Sequence, residues 1–214
     1  MPLSAFLPPS SAHFTNLHFL GSRTKGELDS SAFFLRVSSW SVHFLIKSMA
    51  VPLIDPAAEL GTSMDSNAMA FILNETEFSA GAIYMPRHWL NARHMANGFE
   101  GTKGSLLAEF PPDLAGERWK QMSICLEDVA ARKWEVPMEE TRYPREIQAF
   151  WERAERSMDT LYSAKNVTRS SKEEMSPELE EAIERLEEII LWELDTDGRA
   201  MDAIMRVEQI ISRL

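Results

Sequence analysis

The chain has 214 residues and a formal net charge of −11, with 44% hydrophobic and 26% charged residues. That is enough for one domain, or a domain with an appendage, built around a real core. A charge of this sign argues against a general nucleic-acid binder and against docking on an anionic membrane surface. The single Cys125 excludes an intrachain disulfide and a Cys-based zinc site.

Residues 1–48 differ from the rest. They hold four basic residues (Arg23, Lys25, Arg36, Lys47) against two acids (Glu27, Asp29), and three of the five histidines. "LPPSS" and "GSRTKG" read as loop, and no sustained helical period appears. The segment is expected to be a disordered arm or an extension ahead of a working start at Met49, with the second preferred. Its one structured candidate is 33–46, as a short hairpin turning at Ser38-Ser39. That stretch is too short to span a membrane and contains Arg36.

Residues 49–112 read as a small mixed region. "AMAFILNE" (68–75) and "SAGAIYM" (79–85) are apolar runs that suit either strands or short helices. Pro86 suits the first position of a helix over roughly 87–97, with Asn97-Gly98 as its stop. The stretch "RHWLNARHMANGFEGTKG" (87–104) combines Arg87, His88, His94 and Lys103 with three glycines, a candidate anion or ligand site. It is not a P-loop, since Thr102 precedes Lys103 and Gly104 follows it. His88 and His94, six apart, do not share a helix face as a metal pair does.

Residues 113–214 read as a helical bundle. Asp113 is a candidate cap for a helix reaching about Trp134, with Met122, Cys125, Leu126 and Val129 on one face. Cys125 in that stripe reads as a small core residue; a Cys/His pair would need His88 or His94 to fold against it. Trp89, Trp119, Trp134, Trp151 and Trp192 are expected to pack, any exposed one being an interface anchor. Pro144 opens a second helix through Tyr162, and "SAKNVTRSSKEEM" (163–175) reads as a polar loop. Ser176-Pro177 begins a helix over 177–194, and a last one covers 199–214.

These two final helices carry apolar seams of steps three and four: Leu179, Ile183, Leu186 and Ile190, then Ile204, Val207 and Ile211. Their short link predicts an antiparallel αα-hairpin. Ile189, Met201, Met205 and Ile210 widen the stripes, so the pair must dock on preceding helices or on a second copy. The link itself, "ELDTDGRAMDAI" (193–204), fails as a calcium loop because Ile204 stands where a bidentate acid is needed. Glu180, Glu181, Glu184, Glu187 and Glu188 crowd the polar side of 177–194, a solvated face or a row of carboxylates for a basic groove.

The expected fold is mainly α: a C-terminal helical bundle ending in an αα-hairpin, with a smaller mixed α+β or irregular N-terminal region. The expected function is that of a non-enzymatic, soluble, cytosolic interaction or regulatory protein. It would bind a protein partner or itself through the seam residues, with no metal, cofactor, membrane or direct nucleic-acid contact. One alternative is an acidic inhibitor occupying a basic nucleic-acid-binding site. The other is a small-ligand or anion binder, or an enzyme, built on 87–104.

Overall fold

A computed structural model of the chain describes residues 2–213 apart from Lys25, 56–57, Glu59, 96–97, 111–116, 171–175, Glu193 and 195–196. It is mainly α with two small sheets, and its C-terminal helices form a bundle ending in an antiparallel hairpin. Asp113 and the acids Glu193 and Asp195 of the failed calcium loop lie outside the described residues.

Two compact units are present, each made of two chain segments: Met1–Leu7 with Pro86–Gln148, and Pro8–Met85 with Ala149–Leu214. In the larger unit, β1 (Phe19–Thr24) is the central strand, antiparallel to β2 (Glu27–Leu35) and parallel to β3 (Ala82–Tyr84). Thr24 pairs with Glu27, and between them Gly26 has φ +86°, a conformation open to glycine at no steric cost. Between β2 and β3 the chain forms α1 (Ser39–Ile54), α2 (Met64–Leu73) and the single turn α3 (Thr76–Ser79). Phe19, Leu28, Phe44, Val51, Met69, Ile72 and Phe78 close one core between sheet and helices.

Residues 1–48, expected as a disordered arm or as an extension ahead of Met49, are largely in regular structure where described. They supply the central strand of the sheet, and Phe19 and Phe44 are fully buried. Nor does the chain divide at residue 48, because α1 runs through it. The expected hairpin at Ser38-Ser39 is instead a strand-to-helix junction. The Ser38 hydroxyl accepts from the Ser41 amide at 3.3 Å, the N-cap contact that starts α1.

The same unit contains most of α6 (Tyr143–Ser170), with α7 (Pro177–Trp192) and α8 (Asp197–Ile211) packed along each other. Ser176 stands just ahead of α7 as expected, its carbonyl accepting from Leu179 at 2.9 Å. Helix α6 continues through 163–170, where a loop was expected; residues 171–175 are outside the described set.

In the smaller unit, Phe6 packs edge-on to Tyr143 and tilted against Trp89, all three buried. Here α4 is one turn, Arg87–Leu90, and the chain then enters β4 (Ala92–Met95). Strand β4 pairs antiparallel with β5 (Gly98–Phe99) and parallel with β6 (Ala108–Glu109). A helix over 87–97 is thus overturned after four residues. Asn91 takes φ −140°, and pairing on both sides of β4 outweighs the helical preference of Ala92, Arg93 and Met95. Helix α5 (Arg118–Ala130) follows.

Candidate functional site

Arg87, His88, His94 and Lys103 do not converge on one anion site. Each of the first three is taken up by its own partner within the smaller unit. The Arg87 guanidinium donates to Glu100 and, at 2.7 Å, to the Asn91 carbonyl. Arg93 donates through its amide to Glu100 at 3.0 Å and through Nε to Glu109 at 2.7 Å. His88 Nε2 lies 3.0 Å from Glu146, which also accepts from Trp89 Nε1 at 2.7 Å. Burial alone would raise the Glu146 pKa, but the His88 and Trp89 hydrogen bonds and the Arg142 charge hold it below the ordinary carboxylate value. Glu100 is held low in the same way, its hydrogen bonds to Arg87 and Arg93 outweighing burial. Lys103 is exposed in the glycine loop. The cationic stretch seen in sequence is locally neutralised, chiefly by Glu109 and Glu146 from outside it.

His94 has the most specific surroundings. Its ring is stacked between Phe99 (centroids 4.4 Å) and Phe110 (4.5 Å), and its Nε2 lies 3.4 Å from Cys125 Sγ. Strand β4 presents the histidine, its partner β5 supplies Phe99, and α5 supplies the thiol. This is the Cys/His approach that sequence left open. Its electrostatics oppose nucleophilic use, however. Burial lowers the His94 pKa, while burial and then the Asp128 charge raise that of Cys125. Both changes favour a neutral imidazole and a neutral thiol over the thiolate–imidazolium pair a cysteine nucleophile needs. The aromatic pair around His94 went unnoticed in sequence; Phe99, across from it in β5, becomes legible only once 92–99 is read as a hairpin.

A groove of about 530 Å³ runs along the smaller unit between Gly104–Leu106 and Trp134–Pro137. None of Arg87, His88 or His94 lines it. Among the described residues no three His, Cys, Asp or Glu side chains cluster as a metal site, and no helix is long and apolar enough to cross a membrane.

The proposed hairpin interface is occupied from within. Leu179, Ile183, Leu186, Ile204 and Val207 are buried, Leu186, Ile204 and Val207 completely; Ile190 and Ile211 are half-buried. Of the residues that widen the stripes, Ile189 and Ile210 are buried, Met201 is half-buried and Met205 is 44% exposed. Arg153 Nε donates to the Leu194 carbonyl at 2.8 Å, Arg156 pairs with Glu208 at 3.1 Å, and Lys165 pairs with Glu187. Of the acidic face, Glu180, Glu181, Glu184 and Glu188 are exposed, and Glu188 pairs with Arg185 at 2.5 Å.

Open apolar surface lies elsewhere. No residue of α5 is buried, and Trp119, Leu126 and Val129 are 70%, 67% and 56% exposed. Leu126 and Val129 belong to the stripe predicted to face a core, whose other members, Met122 and Cys125, are half-buried. Cys125, in the same helix, is tied to His94, but the stripe beside it is bare.

Comparison with known protein families, with curated proteins and with solved structures finds no match for this chain.

Proposed function

We propose that this protein is a non-enzymatic interaction protein whose partner-binding element is α5 rather than the C-terminal hairpin. One observation carries the reading: in this 13-residue helix Trp119, Leu126 and Val129 are 70%, 67% and 56% exposed along one apolar stripe. A helix of this length is marginal in water, and most helical stability comes from docking an apolar face. An exposed tryptophan is also among the side chains that most often anchor protein interfaces. The Cys125–His94 contact ties down one edge of this face, while Trp119, Leu126 and Val129 beside it remain exposed.

The experiment is a photo-crosslinking amino acid at position 119, irradiated in cells that make the protein. A discrete adduct with a second polypeptide, lost when Leu126→Glu is added, is the expected result. Adducts that are absent, or unchanged by Leu126→Glu, refute it. The acidic-inhibitor reading keeps one support, the exposed Glu180, Glu181 and Glu184; Glu187 and Glu188 are already paired within the chain.

A further inference from the structure

Helix α1 is apolar on two opposite sides. Phe44, Ser48 and Val51 face the core and are buried. Val42 (57% exposed), Ile46 (57%), Met49 (76%) and Leu53 (83%) lie on the other side, with Leu45 (39%) beside them. At 100° per residue, the first four fall within about 60° of arc and run most of the helix length of roughly 24 Å. Such a stripe on an isolated chain stands out, because a helix hydrophobic all round is normally enclosed.

We infer that this stripe is the seam of a twofold homodimer, α1 of one copy lying along α1 of the other. Charge selects the occupant. Lys47 is the only Asp, Glu, Lys or Arg in α1, and its ammonium is held by Glu75 at 2.5 Å and Glu77 at 3.7 Å. His43 on the same flank lies 3.3 Å from Glu77. An anionic bilayer finds no free cation on this flank and meets a chain of net charge −11. A second copy is equally acidic, but the stripe carries no charge, so contact along it brings no like charges directly together, and the remaining repulsion is screened over about 10 Å at 0.1 M salt. Area agrees. The five side chains present roughly 500 Å², about 1,000 Å² over two copies, the lower bound for a specific interface and below the roughly 800 Å² per partner of a standard one. An isologous contact of this kind also closes on itself and leaves no second sticky face.

This proposal rests on the reading that the chain works through exposed helix faces, but it concerns a different helix and fails separately. Sedimentation velocity of the full chain from about 1 to about 200 μM measures it, since dimers dissociate by mass action. The expected result is a dimer whose dissociation constant rises about 100-fold or more in Met49→Lys and in Leu53→Lys. Leu126→Lys should leave it unchanged, and far-UV circular dichroism should be the same in all three. A monomer at the highest concentration, a dimer indifferent to Met49→Lys, or a monomer that floats with phosphatidylcholine vesicles overturns the inference. Loss of crosslinking from position 119 in an intact dimer counts against the α5 reading alone.

Discussion

Replacing Glu146 by alanine tests the hydrogen-bonded arrangement that neutralises the basic segment. Glu146 accepts from Trp89 Nε1 at 2.7 Å and faces His88 Nε2 at 3.0 Å, and Trp89 is only 1% exposed. Without the carboxylate, the indole N–H is left buried and unpaired, a cost of about 1–3 kcal/mol; losing a charge-assisted bond to His88 adds about 1 kcal/mol. Glu146→Ala should therefore destabilise by roughly 2–4 kcal/mol. Glu146→Gln keeps an acceptor for Trp89 and should lose about 1 kcal/mol. Urea unfolding by circular dichroism at neutral pH gives both values. The sign of the pH dependence follows from the depressed pKa. On acidification the unfolded carboxyl takes its proton first, near its ordinary 4.5. The stabilisation is thus complete above that value and is lost as pH falls through the lower folded one. The gap between wild type and Glu146→Gln should close toward pH 3, which lies about 1.5 pH units below the free value. A Glu146→Ala variant within about 0.5 kcal/mol of wild type, or a gap that stays constant in acid, refutes the role given to this carboxylate.

Leu186→Ala, at a fully buried position of α7, should cost about 3–5 kcal/mol at every protein concentration; a cost that disappears on dilution would return the hairpin to an intermolecular interface. Cys125 should react slowly with iodoacetamide at neutral pH and faster in Asp128→Asn, because the Asp128 charge is one of the two causes that raise its pKa. His94→Phe should remove a pH dependence. The folded imidazole sits below its ordinary 6.5, so the unfolded state protonates first and wild-type stability falls as pH drops below 6.5; the variant should lack that part of the decline. Replacing Glu180, Glu181 and Glu184 together by glutamine should change unfolding free energy by less than about 0.5 kcal/mol, as expected for exposed side chains with no ion pair among the described residues.

The helices α7 and α8 were legible because their apolar residues recur every three or four positions over four turns, a signal that depends on nothing distant. Strand β4 was not legible. It is four residues long, and what makes it a strand is pairing with Ala108 and Glu109 on one side and Phe99 on the other. Asn97-Gly98, read as a helix stop, is equally a strong hairpin dipeptide. Helix or strand upstream is what distinguishes the two, and four residues do not show it. Strand β1 was hidden for another reason. Phe19 to Ser22 are buried in succession, so the alternation that marks a half-exposed strand is missing. Of the candidate site, sequence named Arg87, His88, His94 and Lys103 and read Cys125 as a core residue, but the acids that pair with His88 and Arg93 come from 58 and 16 positions away.

Periodicity reports that a face is apolar; it does not report what covers it. The α7 seam and the α5 stripe look alike in sequence, yet Leu186 is sealed by neighbours and Leu126 is bare. One difference is a third helix: α6 supplies Arg153 and Arg156 to the hairpin, whereas α5 meets the His94 edge through Cys125. Helix α1 gives the converse case. Apolar residues on both sides erase the 3.6-residue period, which is why 33–46 read as a hairpin. The same two-sidedness leaves Val42, Ile46, Met49 and Leu53 in solvent once Phe44 and Val51 have entered the core. The property that obscured this helix in the sequence is the one that equips it to join two copies of the chain.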